Sequence, residues 1–188
     1  MAFVIEGATG NKALVTDEGM LTTRCVTVSA EHHTNHTEEE AYHIQFGSTL
    51  GVTADDDCVF YMTNTSDKDM ICEGVDMFIN AASQVYLKVG DKGTRNSATA
   101  VTPTNCNAGS GKAADGTFEW GVDLDGGAAG LTGGTEVQRW VFIAQTASEY
   151  KNFDMDIIVP KNETFTIWMD TSGVSIMCTI PVYFHESI

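Results

Sequence analysis

Val174-Ser175-Ile176-Met177-Cys178-Thr179-Ile180-Pro181-Val182-Tyr183-Phe184 is the stretch on which the fold turns. Val174, Ile176, Cys178, Ile180 and Val182 recur at every second position, so one face of an extended strand is continuously apolar. A helix would scatter the same residues around its circumference. Four of the five are β-branched, and such side chains pack well on a pleated surface. Pro181 cannot donate to a ladder, so it predicts an edge or a bulge late in this strand. Just upstream, Thr164-Phe165-Thr166-Ile167-Trp168-Met169 alternates polar and apolar over its first four residues. The intervening Asp170-Thr171-Ser172-Gly173 has hairpin-loop composition.

Toward the N-terminus the same alternation and β-branched enrichment predict strands over residues 21–29, 41–46, 58–64, 70–79, 84–89, 137–146 and 155–159. Helix signals are scarce, and only 147–152 predicts a helical turn or two. Short strands separated by polar turns predict an all-β, single-domain protein: a β-sandwich, jelly roll or barrel. Two segments break the rhythm. Residues 105–134 hold nine of the eighteen glycines with little pattern, and read as a long Gly-rich insertion beyond the common loop lengths. Phe118 and Trp120 stand there amid glycine. On an exposed loop they would be contact anchors; on a loop folded back they would join the core. Residues 1–20 read as an N-terminal arm, leaving 21–188 for the sandwich. In the arm, Gly7-Ala8-Thr9-Gly10-Asn11-Lys12 is a turn cluster between Phe3-Val4-Ile5 and Ala13-Leu14-Val15.

Among 188 residues, 26 Asp and Glu outnumber 10 Lys and Arg, for a net charge of −16. That argues against a nucleic-acid binder, which needs a basic face, and against docking to an anionic membrane. A hydrophobic fraction of 43% suffices for a core. No apolar run reaches the roughly 18 residues of a membrane span, and the N-terminus has no secretory pattern. The five cysteines are odd in number, widely spaced and without a CxxC, unlike a zinc site or a disulfide scaffold. Cys25, Cys58, Cys72 and Cys178 lie in strand-like runs and are predicted to be reduced structural thiols of a cytosolically made protein. Cys106, in a polar loop, is the expected reactive one.

The chemical motifs mostly fail. Gly109-Ser110-Gly111-Lys112-Ala113 imitates a phosphate loop, but its first glycine position is Cys106 and Ala113 replaces the magnesium-binding hydroxyl. Gly121-Val122-Asp123-Leu124-Asp125-Gly126 is half a calcium loop. Its first and closing ligand positions, Gly121 and Thr132, offer no carboxylate. Asp55-Asp56-Asp57 is a second acidic stretch, and for both turn chemistry is the expected role. His32-His33-Thr34-Asn35-His36 with Glu38-Glu39-Glu40 is the densest set of ligand residue types, read as a solvated acidic loop. Three Asn-x-Ser/Thr triplets, at Asn35, Asn64 and Asn162, carry no weight without a secretory signal. There is no nucleophile elbow and no cysteine beside a histidine. The expectation is a chain with no catalytic residues, no metal and no cofactor.

The order of the N-terminal motifs is more specific. Ile5-Glu6-Gly7-Ala8-Thr9-Gly10-Asn11-Lys12-Ala13-Leu14-Val15 leads to Glu18-Gly19-Met20-Leu21, then Val26-Thr27-Val28, then Glu40-Ala41-Tyr42. This resembles the opening of a group of small virion proteins of tailed bacteriophages. Ile157-Ile158-Val159-Pro160-Lys161-Asn162-Glu163 before the closing strands is similar too. The match is specific over roughly the first 45 residues and looser beyond. Gly19-Met20-Leu21 departs from the relatives' Asn-Arg-Leu, and the His-rich stretch is extra. The resemblance implies a jelly-roll sandwich on the phage particle, acting as a non-enzymatic capsid cement or decoration protein. Its implied partners are the major capsid protein and further copies of itself, with a trimer expected. The implied location is the capsid surface, after assembly in the host cytoplasm. Phe3, Val4 and Ile5 in the arm and Phe118 and Trp120 in the insertion are then the expected contacts. The alternatives are a carbohydrate- or receptor-binding module of a head or tail fibre, a neck or tail adaptor, and a sugar-cleaving enzyme. The first would use Trp120, Trp140 and Trp168 as stacking faces, although Trp140 and Trp168 lie in strand runs and read as core.

Overall fold

The computed structural model describes residues 3–6, 12–15, 21–22, 29–50, 56–126, 130–143, 149–153, 156–170 and 174–186. In chain order the strands are β1 (Phe3–Glu6), β2 (Lys12–Val15) and β3 (Leu21–Thr22). A four-residue helix, α1 (Ala30–His33), continues into one π-type turn over Thr34–Glu38. Then come β4 (Ala41–Leu50), β5 (Asp57–Asn64), β6 (Asp69–Cys72), β7 (Val75–Ile79) and β8 (Ser83–Val89). Three two-residue strands follow: β9 (Lys92–Gly93), β10 (Thr99–Ala100) and β11 (Thr104–Asn105). The remainder are β12 (Gly116–Trp120), β13 (Leu131–Thr132), β14 (Thr135–Phe142), β15 (Glu149–Phe153), β16 (Ile157–Val159), β17 (Thr164–Met169) and β18 (Val174–His185). No helix among the described residues is long and apolar enough to cross a membrane.

Two sheets pack face to face as a β-sandwich, so the all-β expectation holds. One sheet has the order β10-β12-β5-β17-β8-β14; the other runs β11-β4-β18-β6-β16, with β7 beside β18 and β15 beside β7. All pairings are antiparallel. Alternation fills the space between them. Ile44 and Phe46 of β4, and Ile176, Ile180 and Val182 of β18, meet Phe60 and Met62 of β5 and Phe165 and Ile167 of β17. Phe46 and Phe60 stack across the layer at 4.9 Å, nearly parallel. Burying each such aromatic contributes on the order of 2–3 kcal/mol before entropy is counted.

β18 is a central strand, not an edge. It pairs with β4 along one side, and along the other with β7 (through Ile176–Thr179) and then β6 (from Val182). Pro181 falls in the gap where the partner changes, opposite the Glu73–Gly74 break between β6 and β7. The proline carbonyl still accepts from the Glu73 N–H at 3.2 Å, so at this junction the ladder lacks only the donation that proline cannot make. The same break divides the strand expected over 70–79.

Three other expectations change. Residues 149–152 do not form the expected helix; they belong to β15, where Tyr150 faces Phe78 and Lys151 faces Met77 on β7. Cross-strand pairing outweighs a local propensity that is marginal at six residues. The insertion 105–134 is not a patternless loop: β12 inside it lies between β10 and β5. The acidic His-rich stretch is partly helical rather than a loop. In the N-terminal segment, β1 pairs with β2 across the Gly7–Lys12 cluster, as its composition suggested, and β3 joins this small sheet through Val15↔Leu21. Residues 23–28, Cys25 among them, lie outside the described residues.

Candidate functional site

The six-stranded sheet is apolar on both faces. Its outer face carries Cys58 and Tyr61 of β5, Tyr86 of β8 and Trp168 of β17, and these form a second buried cluster with Leu124 and Leu131. The last two come from the Gly-rich segment, which folds back over the sheet as a flap. Gly93 permits this. Its φ of 142° is open to glycine alone, and a side chain there would strike the Gly130 carbonyl where β13 lies along β9.

Carboxylates pin the flap at both ends. At one end Asp91 is 2% exposed. Its Oδ1 accepts from the Gly134 backbone N–H at 2.9 Å. Its Oδ2 accepts from the Thr166 hydroxyl and the Trp168 indole N–H, the latter at 3.0 Å. Thr164 donates to the Asp91 carbonyl at 2.7 Å. A buried charge held by this many donors is a structural lock.

At the other end the Cys58 N–H donates to Asp125 Oδ1 at 2.6 Å. Asp57, Asp123 and Asp125 each place a carboxylate oxygen within 4.8 Å of the other two. The half calcium loop and the Asp55-Asp56-Asp57 stretch, separate in the sequence, therefore meet in space. Oxygen donors of this kind suit hard cations. Burial raises the Asp125 carboxyl above its ordinary value, and the charges of Asp123 and Asp57 add to it; the N–H groups of Cys58 and of Asp125 itself oppose the rise. A carboxyl raised in the folded state weakens folding where it is ionised. The penalty is present at neutral pH and fades as the pH falls through the folded value toward the ordinary 3.8. Asp123→Asn is expected to raise stability at neutral pH by about 0.5 kcal/mol, small because Asp123 and Asp125 are both partly exposed. Thermal melts should show the gap between variant and wild type closing on acidification; a gap constant with pH would remove the repulsion from the account.

Tight cation–aromatic contacts extend the covered face. Lys88 Nζ lies 3.8 Å from the Trp168 ring, Arg139 4.3 Å from Tyr86 and Arg95 4.4 Å from Tyr61. Arg95 and Arg139 also pair with Glu119 (2.6 Å) and Glu136 (2.7 Å), so these contacts are internal braces.

The expected site residues fall in different places. Phe3, Val4 and Ile5 lie on β1, in register with Val15, Leu14 and Ala13. Phe118 is 4% exposed, inside the main core, and Trp120 is half-buried against that core. They are held there because β12 is a sheet strand. Trp140 and Trp168 are buried, so neither offers the open face a sugar ring would stack on. His32 and His36 stack at 6.0 Å on the surface, and the only group of three ligand-type residues close enough to share an ion, among those described, is the aspartate trio. Lys112 is engaged with Glu40 Oε1 at 3.2 Å and the Glu38 carbonyl. Asn64 is fully buried, with its amide donating to the carbonyls of Lys68 and Val159, which removes it as a glycosylation acceptor. Burial, the first cause for each thiol, raises Cys72 to about 12 and Cys58 and Cys178 well above the ordinary value, so these are inert core thiols. Cys106 is exposed.

Sequence reasoning missed Asp91, whose Gly90-Asp91-Lys92-Gly93 setting looks like any turn. It also missed the exposed Val137, Val141 and Ile143 around β14. Their signal was present, since Trp140-Val141-Phe142-Ile143 is apolar on both faces. No protein-family model, curated protein or solved structure matches the chain.

Proposed function

We propose that the chain is a non-enzymatic structural protein of a tailed-phage virion: a jelly-roll cement protein that binds the major capsid protein and stabilises the assembled head. The observation that carries the fold half of this reading is the strand order. Take β6 with β7, and β15 with β16, as single positions. The eight principal positions in chain order then lie as 1-8-3-6 in one sheet (β4, β18, β6/β7, β15/β16) and 2-7-4-5 in the other (β5, β17, β8, β14). That order, with β12 and β10 as additions at one edge, supports the jelly-roll reading, an architecture common to viral capsid domains, lectins and cupins. Because one fold serves many functions, the virion half rests on the motif order of the first 45 residues. The charge of −16 supports a role at high copy number, keeping a densely repeated surface soluble. Binding the assembled shell but not its loose subunits would stabilise the shell by mass action, with many weak contacts adding by avidity.

Quantitative mass spectrometry of purified particles tests the role. Hundreds of copies per head are expected, whereas about a dozen would indicate a neck or tail adaptor. Deleting residues 1–12 removes β1 with the expected contacts Phe3, Val4 and Ile5. It should abolish binding to heads while the melting temperature of the sandwich stays within a few degrees. A truncated chain that decorates heads normally would eliminate the N-terminal segment as the anchor.

A further inference from the structure

We propose that His32 and His36 form a two-imidazole site for a divalent transition-metal ion of the zinc and copper type. The pair lies in the stretch whose residue types suggested ligands but which read, from sequence, as a solvated acidic loop. Both residues are exposed, and their rings stack at 6.0 Å with 5° between the planes. Among the described residues, no hydrogen bond or ion pair claims either ring. The local backbone explains why they meet. Positions four apart overshoot one 3.6-residue α turn by about 40°. Between the two histidines the chain passes from α1 into the wider π-type turn, which takes up that overshoot. The two side chains therefore stand nearly one above the other. Single π-type turns are rare, and they recur at functional sites.

The segment is also held still. Ser29 Oγ accepts from the His32 backbone N–H at 3.1 Å. Thr34, between the two histidines, is fully buried. The Asn107 amide donates to the Asn35 carbonyl at 3.3 Å, and the Asn105 amide to the Glu39 carbonyl at 2.8 Å. Lys68 pairs with Glu38 at 3.0 Å and with Glu40 at 2.7 Å. The backbone that carries the imidazoles is thus fixed from beneath, and an arriving ion has only two exposed rings to order.

Two histidines at i and i+4 on one helical face are a recurring part of zinc sites. Metal–nitrogen bonds of about 2.0–2.1 Å set the centroids of two imidazoles about 5 Å apart on a tetrahedral ion. The stack at 6.0 Å need close by only about 1 Å to meet that geometry, which rotation of two exposed side chains supplies. Imidazole nitrogen suits zinc, copper and nickel, whereas magnesium and calcium take oxygen. The charge of −16 raises the local concentration of any cation, and the imidazoles make the choice among them. The remaining coordination positions are left to water. The ion is then an addition to a folded chain, not a closed structural site on which folding depends.

The inference is independent of the virion reading, because it concerns the purified chain in solution. Isothermal titration of the full chain with Zn²⁺ alone, up to about 500 μM, tests it. Binding of about one ion per chain is expected. His32→Ala and His36→Ala should each weaken it about tenfold or more, since even groups that merely orient a ligand are worth that much. The melting temperature without zinc should not change, both side chains being exposed. His33→Ala removes an exposed histidine about 100° round the helix and should leave the affinity as it is. Mg²⁺ at about 5 mM should not compete. Should an alanine variant melt early, His32→Gln and His36→Gln keep a polar side chain of similar size and give the same readout. A wild-type chain that binds no zinc, or binding indifferent to His32 and His36, would overturn the proposal. So would binding that His33→Ala weakens equally, or that Mg²⁺ displaces, the last placing the ion on carboxylates instead.

Discussion

Phe118→Ala is expected to lower folding stability by about 3–5 kcal/mol, the range for emptying a buried aromatic site. Phe118 sits on β12 in register with Met62 of β5. Its ring lies so close over Gly116 that a Cβ there would collide with it. Truncation therefore opens a cavity between the sheets. It also weakens the attachment of β12, on which β10 in turn depends. Urea denaturation followed by tryptophan fluorescence measures the loss. The result separates the two roles open to this residue in the sequence, because an aromatic contact anchor on an exposed loop would change stability by no more than about 0.5 kcal/mol. A shift that small would return Phe118 to the surface.

Asp91→Ala should be nearly as damaging, with an expected loss of about 2–4 kcal/mol. Removing the carboxylate leaves the Trp168 indole N–H with only the Thr166 hydroxyl as acceptor and deprives the Gly134 N–H of its partner. Asp91→Asn keeps an acceptor oxygen and should cost about half as much. Hydrogen exchange gives the sharper reading. In Asp91→Ala the Gly134 amide should lose protection before the amides of β5 and β17 do, because the flap detaches from a sheet that remains folded. Simultaneous loss of protection everywhere would show that the flap is not a separate unit.

The strands expected over 41–46, 58–64, 84–89, 137–146, 155–159, 164–169 and 174–184 correspond to β4, β5, β8, β14, β16, β17 and β18, because each carries an apolar, β-branched or aromatic run that stands out between polar turns. β12 also alternates, with Phe118 and Trp120 inward and Thr117 and Glu119 outward, but over five residues in a glycine-rich setting that pattern is lost. β15 was misread because Ala147-Ser148-Glu149-Tyr150-Lys151-Asn152 holds helix formers, and its strand state depends on β7, some seventy residues earlier. Pro181 does mark a defect in the ladder, but not the expected edge or bulge, since β18 is central and its register with β4 is unbroken. Only the topology reveals that the defect marks a change of partner in mid-sheet. The aspartate trio was half visible: both acidic stretches stood out, but Asp57 and Asp125 are brought together only by the flap lying across β5. Asp91 could not be found, because burial, not residue type, distinguishes it from an ordinary turn aspartate.

The ten-residue register between β4 and β18 joins the beginning of the sandwich to its end, Tyr183 facing Ala41 and Val174 facing Leu50. The seven-stranded sheet therefore cannot close until β18, residues 174–185, has left the ribosome. Until then, β4 and the inner faces of β6 and β7 have no centre strand to lie against. Pairing of such long sequence separation makes folding slow, and the unfinished chain presents open apolar edges while it waits. Yield in a heterologous host should depend more on chaperone supply and growth temperature than on the stability of the finished molecule.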